Sequence, residues 1–62
     1  MTMYLRDLKL NQCFQYPNLS TNYYVVRQVP ELCRTTVCCV NTGHKHNEKS
    51  DVIVFPVSSD TL

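Results

Sequence analysis

The chain reads as an all-β domain: a strongly curled antiparallel sheet of four or five strands, or a small barrel, with one short helical turn near the N-terminus. Three observations predict this. The apolar residues come in short runs of Val, Ile, Tyr, Phe and Cys, mostly the β-branched and aromatic types that suit a pleated surface. No long stretch repeats them at helical spacing. Turn-forming residues, among them Asn11, Pro17, Asn18, Pro30 and Gly43, punctuate the chain between the runs. At 62 residues this is one domain, 1–62, and a chain of that size buries only about 60% of the surface its unfolded form exposes.

The elements follow in order. Leu5 and Leu8 fit a single helical turn, because an isolated short helix is marginal in water. Asn11 and Gln12 mark a tight turn. Residues 13–16 form a short strand stopped by Pro17, which has no backbone N–H for a ladder. Residues 18–21 are a polar loop. Residues 22–29, NYYVVRQV, form the clearest strand, although neither alternate set of side chains is cleanly polar, so the inward face stays open. Pro30 and Glu31 turn the chain into a strand over 33–40. The organising stretch is 36–57, TVCCVNTGHKHNEKSDVIVFPV. Its apolar runs, 37–40 and 52–57, are expected to pair as antiparallel strands, with 42–51 as a long, polar, mobile loop between them. Pro56 inside the last run marks an edge or the end of pairing. Residues 58–62 form a polar tail.

Composition narrows the function. Net charge is +1 and the charged fraction 18%, which lacks the heavy Lys and Arg loading of most nucleic-acid domains. The longest apolar runs are about six residues, too short to span a membrane. The N-terminus, MTMYLRDLKL, has no continuous apolar segment of the signal-peptide kind. The expected compartment is the cytoplasm, with the four cysteines reduced and packing as small hydrophobes. Adjacent Cys38 and Cys39 point to opposite faces of a strand and are poorly placed to bridge each other.

Four constellations carry chemistry in principle. Cys33, Cys38, Cys39, His44 and His46 crowd into fourteen residues, which raises a zinc-binding mini-domain as one alternative. No CxxC is present, and the plainer reading is packed thiols with exposed histidines. A cysteine nucleophile needs a neighbouring base, and thiols inside an apolar strand are inert; the carboxylates are scattered over turns. No catalytic residue, metal ligand or cofactor is assigned, and the chain is not expected to be an enzyme. Tyr23, Tyr24, Arg27 and Arg34 on neighbouring strands, with Lys45 and Lys49 from the loop, fit a single-stranded nucleic-acid surface. The same side chains suit a protein interface, because Tyr and Arg offer large contact area with few rotatable bonds.

The succession of an apolar lead-in, a strand, a variable loop and three meandering strands resembles small SH3-like barrels. The resemblance is one of architecture and implies no function. So small an interior is taken up by folding, which leaves the outside for work. The expectation is a non-catalytic module that binds another protein or a second copy of itself. Its size fits inhibitors, adaptors or accessory factors, including those encoded by bacterial viruses or mobile elements. The contact residues expected are Tyr23, Tyr24, Arg27, Arg34, His44, Lys45, His46 and Lys49, and the runner-up is a single-stranded nucleic-acid binder using the same surface.

Overall fold

The computed structural model describes residues 2–57. Six strands form one sheet: β1 (Met3–Tyr4), β2 (Cys13–Gln15), β3 (Asn22–Val29), β4 (Arg34–Cys39), β5 (Lys45–Lys49) and β6 (Ile53–Val57). Their order across the sheet is β1-β6-β2-β3-β4-β5, and every neighbouring pair is antiparallel. The all-β fold class is therefore correct. Along the chain, β2 is followed by a loop and then by the consecutively paired β3, β4 and β5. Among the described residues the strand count is six, one more than the upper expectation.

Short turns set the meander. Leu5–Asp7 is a 3-10 turn closed by Leu8 N donating to Leu5 O at 3.2 Å. Side chains three apart eclipse in such a turn, so Leu5 and Leu8 are both buried while Arg6 and Asp7 stay exposed. Asn11 has φ 67°, a left-handed conformation that Asn tolerates, and Gln12 N reaches back to Lys9 O at 3.1 Å. Pro30–Leu32 forms a second 3-10 turn, ended by Cys33 at φ 51°. The only glycine, Gly43, has φ +74° with open space where a Cβ would sit. Its role is therefore one of backbone conformation, in the tight return from β4 to β5.

Two expectations on the organising stretch are corrected. The run 37–40 does not pair with 52–57: β4 lies between β3 and β5, and β6 lies between β1 and β2. The polar segment 42–51 is not a long loop, because residues 45–49 are a strand paired with β4 from Arg34↔Lys49 to Cys38↔Lys45. The physical reason is that β5 buries no aliphatic residue. Its alternation sets exposed Lys45, Asn47 and Lys49 against half-buried His46 and Glu48, and a polar edge strand leaves no hydrophobic signature. Cys33 likewise lies outside β4, in the turn. The polar tail expected at 58–62 lies outside the described residues.

The open face of β3 is settled by a bulge. Val25 pairs with Val37 but Arg27 pairs with Thr36, so Val26 is the extra residue. The bulge shifts the side-chain phase: Tyr23 and Val25 point inward before it, and Gln28 points inward after it. This is why neither alternate set looked like a core face. The core itself is Leu5, Leu8, Phe14, Val25, Val37 and Val54, with Met3, Tyr16, Tyr23 and Val52 packed against it.

Residues 50–52 bring the two ends of the sheet together. Leu5 N donates to Val52 O, Arg6 N to Ser50 O and Ser50 N to Cys33 O, each at 2.9 Å. The sheet is thus curled and tied at one corner. Its edges are guarded in different ways. The bond from Val25 N to Gln12 O fixes the ladder phase and makes Phe14↔Pro56 a non-hydrogen-bonded pair across β2 and β6. The missing N–H of Pro56 therefore falls on the side of β6 that faces away from β2, past the last described pair with β1, Met3↔Val54. At the other edge, Cys39 N donates to His44 O at 2.9 Å. That phase leaves the backbone groups of Lys45, Asn47 and Lys49 facing outward without a strand partner among the described residues.

Candidate functional site

Pleating divides the eight expected contact residues. On the inner side, Tyr23 and His46 join an aromatic cluster. The Tyr23 ring stacks on Phe14 at 5.9 Å and meets Tyr16 edge-on at 5.0 Å and His46 edge-on at 6.0 Å. The Tyr16 hydroxyl donates to Glu48 Oε2 at 3.2 Å and lies 3.4 Å from His46 Nε2. Tyr16 has one proton and gives it to the carboxylate, so Nε2 acts as the donor toward the phenol oxygen. His46 and Glu48 are themselves 3.7 Å apart. Tyr16 and Glu48 were not anticipated. The signal that could have found them is the i, i+2 spacing of His46 and Glu48 within an otherwise polar stretch.

Burial pushes the Tyr16 phenol well above its ordinary range, and the charge and hydrogen bond of Glu48 add to the effect. A raised phenol pKa gives stability that is complete below the unfolded value of about 10. That stability is lost as pH rises above it, because the unfolded chain releases a proton that the native chain retains. Tyr16→Phe is therefore expected to flatten the fall in the urea midpoint between pH 9 and 11. If the wild type and the variant lose stability in parallel over that range, Tyr16 does not carry the linkage.

On the outer side lie Tyr24, Arg27, Arg34, Lys45 and Lys49. The register stacks them in rows: Tyr24, Cys38 and Lys45; Arg27, Thr36 and Asn47; Val29, Arg34 and Lys49. The bond from Thr36 Oγ1 to Asn47 Oδ1 at 2.7 Å shows that these side chains share a face. Four of the six Lys and Arg residues thus occupy one face of three strands. No carboxylate lies in those rows, and none of these four cations forms an ion pair with a described carboxylate. Tyr24 lies between Cys13 and Cys38 across the strands. Its phenol is pushed upward mainly by its interaction with the Cys38 thiol. His44 joins neither side and sits exposed in the return to β5.

The cysteines are dispersed. All four are free: Cys33 is exposed, while Cys13, Cys38 and Cys39 are buried. Cys38 faces outward and Cys39 inward. The Thr42 hydroxyl and then its backbone N–H lower the Cys39 thiol pKa, partly offset by desolvation. Among the described residues, no three His, Cys, Asp or Glu side chains are placed to hold a metal ion. The zinc constellation in the sequence is therefore not assembled in space.

Three further features had no sequence signal. Gln28 Nε2 donates to Leu5 O and Leu8 O, each at 3.1 Å, which clamps the first 3-10 turn to β3. Thr35 Oγ1 donates to Gln28 Oε1 at 2.6 Å and lies 2.8 Å from Ser50 Oγ. Since the single Thr35 proton goes to Gln28, Ser50 is the donor to Thr35. Next, Tyr4, Ile53 and Phe55 form an exposed apolar strip on β1 and β6. Finally, Arg6 lies over the Tyr4 ring at 4.5 Å. No family model matches the sequence, and neither a curated protein nor a solved structure is detectably similar to it.

Proposed function

We propose that this is a non-catalytic binding module that holds an acidic protein surface against the outer face of β3, β4 and β5. The observation that carries the reading is the gathering of Arg27, Arg34, Lys45 and Lys49 on that face without a carboxylate among them. Their mutual repulsion is relieved when a partner brings negative charge. The exposed Ile53, between Tyr4 and Phe55, supports a protein partner, since a polyanion has little use for aliphatic contact.

A single-stranded nucleic acid is the second reading, favoured by one observation: Tyr24 stands among the cations, where a base could stack. Affinity capture from cell lysate with and without nuclease, followed by titration of what is retained, separates the two. For a protein partner, capture survives nuclease, and Arg27→Glu with Lys45→Glu weakens binding at least tenfold. Capture abolished by nuclease, with affinity falling steeply in salt, selects nucleic acid instead. If Tyr24→Ala and Arg27→Ala each leave the affinity unchanged, the chosen face is wrong.

A further inference from the structure

We propose that the tied corner of the sheet is a binding site for a small phosphate monoester. Three separate segments meet there, and each carries a cation. Arg6 lies in the first 3-10 turn, Arg34 opens β4, and Lys49 closes β5. Backbone bonds fix their approach through one residue: Arg6 N donates to Ser50 O, and Ser50 N donates to Cys33 O, both at 2.9 Å. Lys49 directly precedes Ser50 and Arg34 directly follows Cys33. The three charges are thus carried on adjoining backbone positions rather than gathered by side-chain flexibility alone.

Around them is a groove of about 410 Å³, lined by Arg6, Arg34, Lys49 and Asp51 with Leu32 and Cys33. Arg34 and Lys49 are direct cross-strand partners, an arrangement that is unfavourable for like charges. None of the three cations forms an ion pair with a described carboxylate, although Asp51 shares the groove and Asp7 lines the adjoining one. A fold that keeps two like charges opposite each other and adds a third leaves a net positive site among the described residues. The three cations minus Asp51 leave the groove at +2, which matches a phosphate dianion. Guanidinium groups suit phosphate oxygens through paired N–H donors, and Lys supplies a point charge. The volume has room for the organic part of a small ester, and Leu32 offers it an apolar wall.

The site is separable from the outer-face reading, because Arg6 belongs only to the groove while Arg27 and Lys45 belong only to the face. Inorganic phosphate and adenosine 5′-monophosphate are titrated into isotope-labelled protein at low, constant ionic strength, with chloride as the control ion. Saturable shifts are expected at the backbone amides of Arg6, Cys33 and Ser50. Arg6→Gln and Lys49→Gln should each weaken them at least tenfold, and Arg27→Gln with Lys45→Gln should change them less than twofold. Lys49 lies on an exposed edge, so its variant reads the site even if Arg6→Gln disturbs the corner. Absence of saturation, equal shifts with chloride, or undiminished affinity in both single variants overturns the proposal. So does binding confined to an oligonucleotide and mapped to the β3–β4 face.

Discussion

Phe14→Ala is expected to leave the protein without a cooperative unfolding transition at 25 °C. Phe14 is fully buried at the centre of the sheet, with Tyr23 stacked on its ring and Tyr16 edge-on at 5.4 Å. Truncating a buried phenylalanine costs about 3–5 kcal/mol through lost transfer energy and the cavity left behind. A domain this size has a total stability of roughly 3–9 kcal/mol, at about 0.05–0.15 kcal/mol per residue. The loss therefore takes away most of what holds the fold. Phe55→Ala is the matched control: Phe55 lies on the outer side of β6 and is 37% exposed, so its removal should cost a smaller amount, about 1–2 kcal/mol. Urea titration followed by circular dichroism reads both. Equal shifts in the two variants would show that the inner and outer faces of the sheet have been assigned wrongly.

Thr35→Val is expected to cost about 2–6 kcal/mol, although the two side chains are nearly the same size. The hydroxyl is the middle link between Gln28 Oε1 and Ser50 Oγ, and both Thr35 and Ser50 are buried. Replacing it with a methyl group leaves an acceptor and a donor without partners, each at about 1–3 kcal/mol. The effect should reach further than the pair. Gln28 also holds Leu5 O and Leu8 O, so faster amide exchange is expected in the first 3-10 turn. Thr36→Val supplies the contrast, because Thr36 Oγ1 bonds Asn47 on the exposed face and water can replace it. If the two threonine variants were indistinguishable, the buried network would have no energetic weight.

β3 was readable to the residue, because NYYVVRQV is dense in β-formers and ends at Pro30. The helical turn was readable from Leu5 and Leu8. Strand β5 was not, because its stability comes from pairing with β4 and from the polar contacts of His46 and Glu48 with Tyr16. Missing it made 37–40 and 52–57 look like partners. Thr35 and Thr36 are identical in sequence, and only the ladder decides which one is sealed inside. The sequence lists the side chains proposed for contact but does not say which of them share a face. Pleat parity sends Tyr23 and His46 inward with the core and leaves four cations together outside. Arg6 was invisible as part of any site, since it reaches Arg34 and Lys49 only through the Ser50 backbone bonds.

The unequal protection of the two sheet borders has a consequence for handling the molecule. The proline safeguard on β6 is covalent and indifferent to solvent. The safeguard on β5 is ionic, resting on Lys45 and Lys49, and weakens with screening or with acylation of the amines. Concentrated salt or lysine-reactive reagents should therefore unmask one side only, so that chains stack through β5 while β6 stays inert.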